Sequence, residues 1–381
     1  MRRVVILYSR TGGGHRSAAL AVAKVLQRIA PQCQVDLVDP LLHPGSWPLA
    51  PAARLYAPMV RLAPPLWAVV YHLSDTRPGY RTITLALDRW LYPPTREALA
   101  NPSTDLVLVV HPLLARQAAR ARRSLNVNWP LATVVTDPVD IHRTWLGTGP
   151  DLLLVTTDEA AERCALLSPS VPIIERTGFP VDPDFRPPYP GESKLLRAAL
   201  GLDAQRPTIL LSGGGAGAGD MASMLAALCE RKHPWQVIAI CGDNARLKQR
   251  LEALTALVPL KIYGFVDNMA ELMRACDLAV GKAGPGFIFE AVETGLPLIL
   301  TSHLPGQERG NIDFVIDHGL GLRAQSPSEL QSLLYRLLAA GSSELAEMRA
   351  RILGLSGGGG AEQVVESALK LVHRAAGQAS R

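Results

Sequence analysis

The chain has 381 residues and a formal net charge of +5, with 48% hydrophobic and 19% charged residues. That apolar mass suffices for two ordinary domains or one large one and excludes a chain disordered throughout. The 32 Gly and 30 Pro are scattered without a period, which excludes collagen-like sequence, and the five cysteines (Cys33, Cys164, Cys229, Cys241 and Cys276) form no C-x-x-C pair. Such a set reads as reduced core thiols of a cytosolic protein and excludes a zinc ribbon or disulfide scaffold.

From the N-terminus, Met1-Arg2-Arg3 leads straight into Val4–Tyr8, too short an apolar run for a secretory signal and well formed for a buried strand. A glycine turn follows, then a helix with Ala18, Ala19, Val22, Val25, Leu26 and Ile29 on one face. Val35–Val38, Asp105–Val110, Leu131–Val135 and Leu152–Val155 read as further strands. After the proline-rich stretch Phe179–Pro190 the pattern restarts with Thr208–Leu211, Gln236–Cys241, Lys261–Tyr263, Leu278–Val280 and Leu298–Thr301. Near-continuous apolar strands separated by helices predict parallel sheets covered on both faces. The fold class is therefore α/β, with two doubly wound units. The expected boundaries are 1–185, 186–356 and a terminal segment 357–381, whose helix from Ala361 to Ala376 packs back toward the first unit. Ligands in such folds bind beyond the carboxyl ends of strands, so two facing units would make a cleft.

Residues 1–190 hold 20 Lys and Arg against 15 Asp and Glu, and the remainder holds 19 of each. A basic half beside a neutral one points to an anionic surface as partner of the first unit. Nucleic acid is not expected, because no helix-turn-helix, zinc-finger or RNP pattern occurs. Within residues 44–100 lie Trp47, Trp67 and Trp90, four of the eight Tyr, and six Arg against Asp75, Asp88 and Glu97. Aromatic rings and Arg in an apolar insertion suit a bilayer interface with anionic lipid; the competing reading is a helical subdomain packing its rings internally. No apolar run reaches the roughly 18–20 residues of a spanning helix. The expected location is thus peripheral, on the cytoplasmic side of the cell membrane.

Three glycine clusters each follow a strand and open a helix: Ser9 to Ser17, Ser212 to Asp220, and Gly281 to Gly286. Backbone amides at such places can cradle phosphate. None is a Walker loop, and only a weak G-x-G-x-x-A runs from Gly213 to Ala218.

The segments Thr-Gly-Gly-Gly-His-Arg-Ser-Ala (11–18), Gly-Phe-Val-Asp-Asn-Met (264–269), Gly-Lys-Ala-Gly-Pro-Gly (281–286) and Leu-Pro-Gly-Gln-Glu-Arg-Gly-Asn (304–311) resemble the monogalactosyldiacylglycerol synthase family. Val135-Thr136-Asp137, His142 to Trp145 and Gly178 to Val181 sit where similar pieces occur, so the resemblance covers nearly the whole chain. It implies a GT-B fold, two Rossmann-like domains facing across a cleft, the N-terminal one for the lipid acceptor and the C-terminal one for a UDP-sugar. It also implies inverting transfer of a hexose, galactose first, from UDP-galactose or UDP-glucose to the sn-3 hydroxyl of 1,2-diacylglycerol. No tightly bound cofactor and no obligatory metal are expected. The alternatives are a UDP-glucose-dependent, processive glucosyltransferase and a UDP-sugar epimerase.

On this resemblance His15 is the base that takes the acceptor proton, and Asp137 is a second proton acceptor or an orienting partner. Gly13, Gly14, Gly213 and Gly214 belong to phosphate-facing loops. Gly264, Phe265 and Val266 would hold uracil, and Ala283, Gly284, Pro285 and Gly286 would face the diphosphate from a helix N-terminus, with Lys282 adding charge. Glu290 and Glu308 would accept ribose or sugar hydroxyls, with Gln307 and Asn311 nearby. Trp67, Trp90, His142 and Trp145 are assigned to the acceptor and membrane side. Asp182-Pro183-Asp184 is read as a structural turn and His111-Pro112 as a cleft-lining turn.

Overall fold

The computed structural model describes residues 1–10, 13–47, 64–147, 149–168, 173–214 and 220–379. Thr11, Gly12, the stretch 48–63 of the insertion and most of the second glycine cluster, 215–219, lie outside the described residues. The chain divides into two compact units: Met1–Pro183 with Pro305–Gln307 and Gly359–Arg381, and Asp184–Leu304 with Glu308–Gly358.

The first unit runs β1 (Arg3–Leu7), α1 (Gly13–Ile29), β2 (Gln34–Val38), α2 (Pro64–Asp75), α3 (Arg77–Leu99), β3 (Thr104–Val109), α4 (Pro112–Leu125), β4 (Leu131–Val135), β5 (Leu152–Val155), α5 (Asp158–Leu167) and β6 (Ile174–Arg176). Its described strands form one parallel sheet in the order β2-β1-β3-β4-β5-β6. Every residue of β1, β4 and β5 is buried, which is why these strands, Arg3 and Thr133 apart, read as apolar runs. Helix starts follow local chemistry: the Thr157 hydroxyl accepts from the Ala160 amide at 3.1 Å to cap α5, and Pro112 takes the first helical position of α4, where no amide is needed.

The insertion contributes α2 and α3. Helix α3 docks on α4 through the apolar cluster that includes Leu91, Leu99, Leu114 and Ala118. The same face buries Asp88, which accepts from Gln117 at 2.8 Å and pairs with Arg116 at 3.3 Å and Arg120 at 3.1 Å. One buried carboxylate held by three donors pins the insertion to the sheet layer.

The second unit runs α6 (Glu192–Ala199), β7 (Thr208–Ser212), α7 (Met221–Cys229), β8 (Gln236–Ile240), α8 (Ala245–Glu252), β9 (Leu260–Tyr263), α9 (Met269–Arg274), β10 (Leu278–Lys282), α10 (Pro285–Thr294), β11 (Leu298–Ser302), α11 (Arg309–Asp317), β12 (Gly321–Arg323), α12 (Pro327–Leu337) and α13 (Glu344–Leu355). Its parallel sheet has the order β12-β11-β10-β7-β8-β9. The terminal helix α14 (Gly360–Ala379) belongs to the first unit, where Glu362 pairs with Arg28 of α1 at 2.8 Å. Its first residue has to be glycine, since a Cβ there would collide with the Phe179 carbonyl.

The two doubly wound sheets agree with the α/β reading. Strands β6 and β12 go beyond it: each is three residues at a sheet edge, too short and too mixed in polarity to show a pattern. Among the described residues no helix is long and apolar enough to cross a membrane.

Candidate active site

In the first sheet the chain winds outward from β1 to β2, then returns to the other side of β1 as β3. This reversal leaves a crevice at the carboxyl ends of β1 and β3, where doubly wound folds take their ligands. His15 stands in the first turn of α1, just after β1, with Gly13 exposed and Gly14 half-buried before it. His111 lies just after β3, at the N-cap of α4. The topology brings the two imidazoles together, ring centroids 4.8 Å apart at 69°. Thr136 and Asp137 follow β4, the next strand, and His15 Nδ1 is hydrogen-bonded to Thr136 Oγ1 at 2.9 Å. The Trp145 ring closes the cluster, 5.6 Å from the His15 ring.

Burial keeps both imidazoles neutral. It pushes His15 down from 6.5 to about 4, and it takes His111 well below its ordinary value, helped by repulsion from His15. No carboxylate touches His15 among the described residues. Asp137 is 5% exposed, and its Oδ2 accepts from the Trp145 indole at 2.6 Å. Thr136 thus holds the His15 ring, while Asp137, expected as a second proton acceptor or an orienting partner, bonds to Trp145.

Trp145 requires correction as a membrane-side residue. It is 0% exposed, because its ring fills the core cluster of Val135, Ile141 and Val155 while its indole N–H secures Asp137. His142, buried too, contacts Thr144 Oγ1 at 2.8 Å and Ser74 Oγ at 3.1 Å, tying the segment after β4 to α2. Trp67 and Trp90 are half-buried. What α2 turns outward is aliphatic: Leu66, Val69, Val70 and Leu73 are all exposed at helical spacing, Leu73 at 63%. Arg77, Arg81 and Arg89 of α3 are exposed as well.

In the second sheet the reversal falls between β7 and β10. Beyond β7, Gly213 is buried and Gly214 has φ +69°, its amide donating to Ser212 Oγ at 3.2 Å. Lys282 ends β10, followed by fully buried Ala283 and then Gly284 as N-cap of α10, with Pro285 at the first helical position. No side chain caps this helix and its first turn holds no acid, so its N-terminal amides and dipole are available to an anion. The Lys282 ammonium pairs with Glu308 Oε1, and Glu308 Oε2 accepts from the Leu304 amide at 2.7 Å. Asn311 Nδ2 donates to the Ala283 carbonyl at 2.9 Å, while its buried Oδ1 has no partner.

Glu290 sits on α10 with no hydrogen bond or ion pair to its carboxyl among the described residues, and burial raises it from 4.5 to about 8. The loop after β9 holds Gly264, Val266 and Phe265, whose ring is 54% exposed. Gln307 groups with the first unit, apart from Glu308 and Asn311. Both Glu308 oxygens are already engaged within the protein, in contrast to the expectation of a carboxylate free for sugar hydroxyls. Thr136 joins the site without a role assigned to it from the sequence, and His111, expected only as part of a cleft-lining turn, stands against the His15 ring. The signal for them is position alone: His111 lies just past β3, the neighbour of β1, and Thr136 directly follows β4, the strand next to β3.

Comparison with known proteins follows this division. The family model described as monogalactosyldiacylglycerol (MGDG) synthase matches residues 15–181, and the glycosyltransferase family 28 C-terminal domain matches residues 208–353. Monogalactosyldiacylglycerol synthase 1, chloroplastic, of Arabidopsis thaliana is 31% identical over 382 residues, covering 98% of this chain and 70% of that protein. Among solved structures, MurG of Acinetobacter baumannii superposes with a TM-score of 0.63 at 19% identity, covering 97% of this chain and all of that one. HepE of Anabaena, solved in complex with UDP-glucose, gives a TM-score of 0.56 at 14% identity with full coverage of both chains.

Proposed function

The chain belongs to the monogalactosyldiacylglycerol synthase family, and from that premise we propose a division of labour in which the first unit activates a diacylglycerol hydroxyl and the second binds the donor. The protein is a GT-B glycosyltransferase that makes monoglycosyldiacylglycerol. The donor is a UDP-hexose, with galactose the sugar carried by the relatives' product.

The observation that carries this reading is the neutral His15 at the reversal point of the first sheet. An imidazole kept near 4 by burial is unprotonated at neutral pH and free to accept a proton. Thr136 holds Nδ1, which leaves Nε2 as the nitrogen that takes the proton while the sn-3 oxygen attacks the anomeric carbon. Asp137, clamped by the Trp145 indole, helps hold that ring beside His15. Because the oxygen attacks as the diphosphate leaves, configuration at the anomeric carbon inverts.

The second unit receives the developing negative charge on the leaving UDP at the uncapped start of α10, Ala283 to Gly286, with the Lys282 ammonium beside it. These groups supply the counter-charge from the chain itself, in keeping with a reaction that needs no resident metal. Glu290 takes ribose hydroxyls, and the exposed Phe265 ring with its neighbours Gly264 and Val266 takes the uracil. Within the second unit, Gly213 and Gly214 after β7 flank the phosphates, and Asn311 faces the sugar.

Membrane contact follows from α2 and α3. The aliphatic stripe Leu66, Val69, Val70 and Leu73, with the exposed arginines of α3, suits insertion of an apolar face among anionic headgroups of a cytoplasmic leaflet. The test is to incubate the purified chain with diacylglycerol vesicles and UDP-galactose or UDP-glucose separately, and to weigh the lipid product. A lipid heavier by one hexose with UDP-galactose supports the reading; glucose transfer alone reassigns the sugar, and consumption of donor without glycolipid refutes it.

A further inference from the structure

Two side chains that the donor would meet at different groups, the diphosphate and the hexose, are bonded to each other. Lys282 ends β10 and Glu308 stands at the N-cap of α11. Their side chains are 22% and 7% exposed, so the pair is shielded from solvent and its charges are strongly coupled. The ammonium lies against the mouth of α10: a Cβ on Gly284 would sit 3.2 Å from Lys282 Nζ and 3.7 Å from Glu308 Oε1. The absence of a side chain on Gly284 keeps that approach to the pair open. The second Glu308 oxygen is fixed by the Leu304 amide. Beside the pair, Asn311 is 1% exposed and its Oδ1 has no donor, a buried acceptor that a ligand hydroxyl would satisfy.

A diphosphate at the start of α10 competes with Glu308 for the same ammonium. Once Lys282 turns to phosphate, one oxygen of a buried carboxylate loses its partner, and the hydroxyls of a hexose are suitable replacements. We propose that Lys282 is exchanged between Glu308 and the donor's diphosphate, so that Glu308 is released to grip the hexose only when a diphosphate is bound. This rests on the reading that the second unit holds the UDP-sugar. It makes sugar recognition conditional on the nucleotide, and it makes UDP alone a poorer ligand than its charge suggests, because it leaves Glu308 uncompensated.

The experiment is calorimetry of the full chain with UDP and with UDP-galactose, without acceptor. Glu308→Gln should bind UDP about three- to tenfold more tightly than the parent, while the preference for UDP-galactose over UDP falls about tenfold. Lys282→Met should weaken UDP about tenfold, and adding Glu308→Gln to it should then change UDP affinity by less than twofold. An unchanged or weaker UDP affinity in Glu308→Gln overturns the exchange. So does a gain that persists in the Lys282→Met background, which would be the simple field of one lost carboxylate. Should Glu308→Gln fail to fold by thermal melting, Glu308→Asp, with a shortened reach to Lys282, should shift UDP affinity in the same direction, and no shift overturns the proposal. Failure of the donor reading looks different: wild-type protein would bind neither UDP nor UDP-galactose, or Lys282→Met would leave both unchanged.

Discussion

The first sheet reverses strand order between β1 and β3 and the second between β7 and β10, yet the two reversal points hold opposite chemistry. At the first, imidazoles and an indole crowd together, Asp137 is tied to Trp145, and burial strips the histidines of charge. At the second, a helix start without a cap and a lysine face outward from a frame of carboxylate and amide contacts. Among the described residues, Arg77, Arg81 and Arg89 of the insertion are exposed. One architecture thus carries neutral imidazoles in one unit and an uncapped helix start beside an ammonium in the other, and the side chains following equivalent strands decide which.

The sharpest way to break this comparison is His15→Ala. Transfer should fall by about 10²–10⁴ with UDP affinity unchanged, measured by glycolipid formation and calorimetry on the same preparation. An equal loss of UDP binding would show that the two units do not divide the work. A Val69→Asp, Leu73→Asp double variant probes the insertion. Both side chains are exposed, so the fold should persist while retention on anionic vesicles drops about tenfold. Binding of the parent should also weaken as salt rises.

The smallest effect concerns Glu290. In the empty protein it holds its proton up to about 8 against 4.5 when unfolded, so its contribution to stability, full at low pH, is lost as pH rises from 4.5 through 8. Hydroxyl donors favour the carboxylate form, so UDP affinity should rise with pH between about 6 and 8 and then level off. Glu290→Gln should flatten that rise and lessen the stability loss between pH 5 and pH 8, as seen by titration calorimetry and thermal unfolding. A rise of equal slope in the variant would place another group at the ribose. His15 carries the opposite sign: unfolding takes up a proton below 6.5, so the folded state weakens as pH falls toward 4 while the base stays competent.

Much of this fold is legible in the sequence. Continuous apolar runs such as Leu131–Val135 and Leu152–Val155 became strands with the expected ends, because a strand buried on both faces must be apolar throughout. His15 stood out because a glycine turn placed it at a helix start. Three-residue β6 and β12 left no such trace. The fate of the tryptophans was equally hidden, since composition counts rings without saying which face of a helix they occupy: Trp145 is core, and the outward face of α2 is aliphatic.

The sequence by itself determined the alternation of strands and helices, the two parallel sheets and the glycine-led helix starts, since periodicity and backbone freedom are local properties. Only the tertiary structure decided that His111 meets His15, that Thr136 rather than Asp137 holds the imidazole, and that Lys282 pairs with Glu308 from 26 residues away. Strand order sets those meetings, and strand order is a global minimum of packing that no single stretch of the chain encodes.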